Sequence, residues 1–298
     1  MNLSTCAQVL TAAQALGLDR LDAQLLLLHA LGKPASARSW LLTHDTDALA
    51  QEVAASFRAL SLRRATGEPL AYIVGSKEFF GLALQVDARV LVPRPDTETL
   101  VEWSLAVLEM PGLPPVLKVL DLGTGSGAIA LAIAHNLKAA GHEAQVTAVD
   151  ASADALDVAR ENARRLGLAV EFIESSWLQG VNGRVHLIAS NPPYIANADP
   201  HMAALAHEPL QALTAGTDGL DDIRHIIQQA PRHLSPGGWL LLEHGYDQAV
   251  RVRELLVRQG FLQVQSRQDL AGIERCSGGQ WPPRQTIPAG CAASNRQR

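Results

Sequence analysis

A chain of 298 residues, 47% hydrophobic and 18% charged, holds enough apolar material for one or two domain cores, which excludes wholesale disorder. Its net charge of −5 and the absence of any Lys/Arg run longer than a pair argue against the basic stripe of a protein that grips bare nucleic acid. Cys6, Cys276 and Cys291 and the scattered histidines show no metal-ligand spacing. No metal site is therefore expected, and a reduced, cytoplasmic setting is favoured.

The predicted elements begin with helices. Ser4 is the expected N-cap of a helix reaching Leu16, where Gly17 punctuates its end. A second helix, Arg20 to Leu31, would put Leu21, Leu25, Leu28 and His29 on one face. A third, Asp47 to Arg64, carries Val53, Phe57, Leu60 and Leu62. Residues 1–75 thus read as a small helical bundle. No apolar run approaches the ~20 residues of a membrane span, and MNLSTCAQVLTAAQAL lacks the layout of a secretion signal.

From Tyr72 the pattern turns to short β-type runs broken by Gly75 and Gly81, so residues 76–92 read as a hairpin linker. Strand-like segments then alternate with helical ones. The strands are Leu117 to Asp121, Gln145 to Asp150, Val170 to Ser175, Val185 to Ser190 and Trp239 to His244. The helices are Gly127 to Ala139, Ala153 to Leu166, Asp221 to His233 and Gln248 to Gln259. Such alternation predicts an α/β domain over residues 93–284, with a mainly parallel sheet. Leu262 to Arg267 and Glu274 to Trp281 would add an antiparallel edge, for seven strands in all. Residues 285–298 read as a loose tail.

The first strand of that domain runs into DLGTGSGAIA. Gly123, Gly125 and Gly127, with Thr124 and Ser126 between them, allow a sharp turn and a close approach to a ligand ahead of a helix N-terminus. A dinucleotide site remains open, because the loop also fits a loose G-x-G-x-x-A form. Asp121, placed to meet an ammonium group, favours S-adenosylmethionine. Asp150 ends the next strand with a carboxylate suited to ribose hydroxyls, and Trp177 offers a flat apolar face to adenine.

The fourth strand ends in SNPPYI. The Asn191 side-chain carbonyl and the backbone carbonyl held by Pro192 can accept two N–H bonds, with Pro193 stiffening the turn. Tyr194 can stack on a planar group. This suits a nitrogen with a delocalised lone pair, an amide or an exocyclic base amine, oriented toward a methyl donor.

With RLDAQLLLLHALG, GEPLAYIVGSKEFFGL, VLVPRPDTE, EPLQAL, LLLEHG and DLAGIER in order around these motifs, the chain resembles the PrmC (HemK) methyltransferases over residues 5–282. The resemblance implies a helical substrate-recognition domain, a hairpin linker and a Rossmann-like S-adenosylmethionine-dependent domain. The implied activity is N5-methylation of the glutamine in the Gly-Gly-Gln loop of class 1 peptide-chain release factors. Gly123 to Gly127, Asp150, Trp177 and Asn191 would hold the cofactor, and Asn191 to Tyr194 the glutamine, with Asn191, Pro192 and Tyr194 in the catalytic role.

Two positions depart from the family pattern: Ser176 stands where many relatives have an acid, and His207 where an aromatic is common. Arg94 belongs to the PRP segment and has Asp96 and Glu98 as expected ion partners. Gly278-Gly279-Gln280 repeats the substrate tripeptide within a predicted strand. A cytoplasmic monomer is expected, without membrane or direct nucleic-acid binding. The competing readings are an N6-adenine-type methyltransferase using the same turn on a flipped base, a non-catalytic release-factor module, and a dinucleotide oxidoreductase.

Overall fold

Thr5, one residue beyond the expected Ser4, caps the first helix. Its Oγ1 accepts from Gln8 N at 3.3 Å while Gln8 Oε1 accepts from Thr5 N at 2.9 Å, so two N–H groups at the helix entrance are satisfied reciprocally. In the computed structural model, which describes residues 4–283, this helix is α1 (Cys6–Ala15). The tail expected at 285–298 lies outside the described residues.

In α2 (Arg20–Ala30) the buried side is Ala23, Leu26, Leu27 and Leu28, whereas Leu21 and His29 are exposed. The expected face was rotated because four consecutive leucines carry no helical period of their own. A 3-10 turn leads into α3 (Arg38–Thr43), then α4 (Gln51–Ala65) and α5 (Leu70–Val74). The sequence had placed Tyr72 to Val74 with the β-type runs, yet they form the last helical turns. Their Ile73 closes the bundle core around Leu26, Leu27 and Phe57.

The linker is the antiparallel hairpin β1 (Ser76–Phe79) and β2 (Leu82–Gln85). Phe80 and Gly81, at φ +50° and +79°, make the two-residue turn with two left-handed residues that matches strand twist.

The α/β domain opens with α6 (Glu98–Leu108), where no element had been expected. It continues as β3 (Val116–Leu122), α7 (Ala128–Ala139), β4 (Glu143–Asp150), α8 (Ala153–Leu166), β5 (Glu171–Glu174) and β6 (Val185–Ser190). The remaining elements are α9 (Asp221–His233), β7 (Leu234–Glu243), α10 (Ala249–Gln259), β8 (Leu262–Gln268) and β9 (Glu274–Gln280). The seven strands lie in the order β5-β4-β3-β6-β7-β9-β8. Only β9 runs against the others, inserted between β7 and β8. Gly278 is required there by packing, since a Cβ would lie 2.4 Å from Leu241 Cδ2 and 2.6 Å from Leu240 O. The Gly-Gly-Gln tripeptide is thus interior strand, as its position predicted.

Alternation along each strand feeds two cores. Leu187 and Ala189 of β6 face α6 and α7, with Trp103 and Trp239 among their neighbours, whereas Ile188 faces α9 and α10. The chain builds β3, β4 and β5 outward on one side, then crosses over to β6 on the other side of β3. The carboxyl ends of β3 and β6, paired through Leu122 and Ser190, therefore flank the topological switch point where α/β sheets bind ligands. The glycine loop follows one and the Asn-Pro-Pro-Tyr turn follows the other.

Candidate active site

The glycine loop alternates in exposure. Gly123 and Gly125 are half-buried and line a cleft of about 210 Å³. Thr124, Ser126 and Gly127 are buried behind them, which moves these three predicted ligand residues into the scaffold. Thr124 Oγ1 donates to Asp121 Oδ2 at 2.6 Å, and Ser126 O accepts from Asn162 Nδ2 at 2.9 Å. Gly127 enters α7 at φ +86°, where a Cβ would come within 2.9 Å of Leu131. Asn162, on α8, also bonds both backbone polar groups of Gln85, tying the hairpin to the loop.

Asp121 is placed differently from expectation. It is fully buried under the loop, and Oδ2 also accepts from Ala130 N at 3.1 Å. It therefore caps α7 from inside instead of facing a ligand ammonium. Burial pushes its carboxyl up to about 7.

Asp150 does stand at the cleft wall. Its Oδ2 accepts from Gly125 N at 2.8 Å and its Oδ1 from Ser152 N at 2.9 Å. Trp177 also lines the cleft, with Cζ3 3.4 Å from where a Gly123 Cβ would sit. A side chain on Gly123 would fill the slot. Trp177 holds φ +50°, a costly conformation for a bulky residue and a common mark of ligand sites. Its ring is fixed by Nε1 donating to Asp222 Oδ1 at 3.1 Å. Burial raises the Asp222 carboxyl above its ordinary value.

Asn191 lines this cleft and also a second one of about 340 Å³, shared with Arg94, Pro192, Tyr194 and Leu91. Pro193, assigned by the sequence to the substrate, instead lines the first cleft. Asn191 Nδ2 donates to Thr97 Oγ1 at 3.2 Å and Tyr194 OH to Glu243 Oε1 at 3.4 Å. The turn is anchored behind by Gln248 Nε2, which donates to Tyr194 O at 3.0 Å, and by Ile195 N on Leu213 O at 2.9 Å. Burial, then Glu243, raise the Tyr194 phenol above its ordinary value, so it stays a neutral hydroxyl.

Arg94 pairs at 2.5 Å with neither expected partner but with Glu208. Glu208 also accepts from Val92 N at 3.1 Å. His207 reaches the helical bundle, its Nε2 3.2 Å from Thr66 O.

These features meet known proteins in order along the chain. Residues 3–75 match the PrmC N-terminal domain and residues 105–265 the methyltransferase small domain. A release factor glutamine methyltransferase from Burkholderia pseudomallei is 47% identical, with 94% of this chain and 97% of the relative covered. One from Bordetella pertussis is 48% identical, with 88% and 95% covered. This chain belongs to the release factor glutamine methyltransferase family.

At the level of fold, a crystal structure of a methyltransferase from Pyrococcus furiosus is similar with a TM-score of 0.51 and 20% identity, over 68% of this chain and 90% of that one. Against the sequence reading of this family member, the structure adds Asp222, Thr97, Glu243 and Gln248. Asp222 carried a weak signal, an acid in the first turn of a predicted helix. The other three are joined to the turn only by long-range packing, for which the sequence offers no local pattern.

Proposed function

We infer that the protein transfers a methyl group from S-adenosylmethionine to the side-chain amide nitrogen, N5, of a glutamine in peptide-chain release factors. The observation that carries this reading is the position of Asn191 at the junction of two clefts. One cleft suits a nucleoside and the other a planar amide. Asp150 would hold ribose hydroxyls, Trp177 and Gly123 would enclose the base, and Asn191 would face both ligands. When bound, the cofactor supplies an electrophilic methyl group on a sulfonium.

The chain's own contribution is positioning. Asn191 Oδ1 and the Pro192 carbonyl accept the two amide protons, orienting the nitrogen lone pair toward the first cleft, while the Tyr194 ring limits the amide plane. Among the described residues neither cleft is lined by His or Lys, and the proton leaves the product nitrogen to water. The relatives' name supports the release factor as partner, acting in the cytoplasm. The bundle of residues 4–75 is its recognition domain, and the Gly-Gly-Gln loop of class 1 factors presents the glutamine.

The test is mass spectrometry of a release factor incubated with the protein and S-adenosylmethionine. One methylene of added mass on the Gly-Gly-Gln glutamine is expected. Asn191→Ala should abolish that gain while calorimetry shows cofactor affinity changed far less. Methylation of duplex DNA, with none of the release factor, would overturn the reading in favour of the adenine amine.

A further inference from the structure

We propose that Glu243, at the carboxyl end of β7, is a positioning residue that sets the orientation of Tyr194 directly and of Asn191 through Thr97. This rests on the reading of Asn191 to Tyr194 as the amide-binding turn.

Glu243 is 1% exposed, and a buried carboxylate is costly unless partners compensate it. Its β7 neighbour Leu242 pairs with Ser190, which directly precedes Asn191. Glu243 thus sits beside the base of the turn. Oε1 takes the Tyr194 hydroxyl. The buried Thr97 hydroxyl favours the ionised form, while Oε2 makes no hydrogen bond among the described residues. One carboxylate oxygen is therefore open to accept a further hydrogen bond.

The polarity of this chain of groups determines what the second cleft presents. Thr97 Oγ1 accepts from Asn191 Nδ2, so its own proton is free to point elsewhere, and the buried, unpartnered Oε2 of the Glu243 carboxylate is the acceptor we assign to it. With Nδ2 turned inward, Asn191 shows its carbonyl oxygen to the cleft, as an incoming –NH2 requires. A glutamine at 243 has nearly the same shape but carries donors. It can donate to Thr97 Oγ1, which then donates to Asn191 Oδ1. That reversal turns the Asn191 –NH2 outward, against the substrate –NH2, without opening a cavity.

Groups from every neighbouring element act on this carboxylate. Asp96, beside Thr97, disfavours its charge, while Arg275 on β9 and the Tyr194 hydroxyl favour it. Burial outweighs them and pushes the group up to about 7. Cys276, also on β9, is itself held protonated by burial and by Glu243. The acceptor-only state is thus lost as pH falls through neutrality and gained as it rises.

The experiment measures methylation of a release factor by the full-length protein across pH, with melting curves and S-adenosylmethionine calorimetry as controls. Glu243→Gln should lower kcat by roughly 100-fold, the scale of a misoriented catalytic amide. Cofactor affinity should hold, and the rise of kcat through about pH 7 expected of the unaltered protein from its raised Glu243 carboxyl should be absent. Thr97→Val should reproduce the kcat loss and Thr97→Ser should restore it. If Glu243→Gln fails to fold, the two Thr97 variants decide alone.

Full turnover with an unchanged pH profile in Glu243→Gln, or full turnover in Thr97→Val, would overturn the proposal. Inactivity of the unaltered protein on release factor, or activity in Asn191→Ala, would instead sink the underlying reading and the proposal with it.

Discussion

Asp150 has both carboxylate oxygens engaged by backbone N–H groups, Gly125 on one side and Ser152 on the other. It shapes the glycine loop as well as the cleft wall. In Asp150→Asn, one of those donors would face an –NH2, at a cost of about 1–3 kcal/mol for an unmatched buried group. We expect S-adenosylmethionine to bind roughly 5- to 100-fold more weakly, by the ~1.4 kcal/mol per decade of affinity, with calorimetry as the measurement. An unchanged dissociation constant would remove Asp150 from the site. Asp121 and Asp150 look alike in the sequence, since each ends a strand beside the loop. What separates them is the side of the sheet end each faces, which depends on how α7 seats: Asp121 meets the Ala130 N–H within the protein, and Asp150 the cleft.

At the scale of elements, the turn after β6 is held rigid from behind. A Cβ on Gly219 would sit 2.2 Å from Tyr194 O, and Gly219 holds φ +70°, so no other residue fits without displacing the turn. Gly219→Ala should lower the melting temperature and cut turnover more than cofactor binding. Differential scanning calorimetry and initial rates separate the two effects; turnover at the original level would show that the turn tolerates displacement. Elements with a strong period, such as α8 and α9, were legible to the residue. The prolines and the amide marked the turn itself. Less visible were α6, although Thr97 and Glu98 stand at its start and Pro111 and Gly112 beyond its end, and the buried side of α2, obscured by consecutive leucines. The contact from Thr97 to Asn191 spans 94 positions and no local rule reaches so far.

For the whole molecule, the bundle has a core of its own around Leu26, Leu27 and Phe57. It touches the α/β domain through a smaller cluster that includes Tyr72, Val90 and Val158, and through His207 on Thr66 O. Phe57→Ala should therefore destabilise the bundle by about 3–5 kcal/mol while S-adenosylmethionine affinity stays intact. Hydrogen exchange would show the loss confined to α1–α5; faster exchange in β3 and β6 would mean the two cores unfold as one. The domain order and sheet type could be read from alternation alone, whereas the joint between domains could not, because it is built from single side chains.

Asn191 borders both clefts, and this has a kinetic consequence. Under the proposed reaction we expect the donor and the acceptor to occupy the protein together, since one amide touches the space of each and, among the described lining residues, no Cys, His or Lys is placed to carry the methyl alone. The expected rate law is accordingly one of a ternary complex, and a single molecule bridging the two clefts should be recognised as both substrates at once.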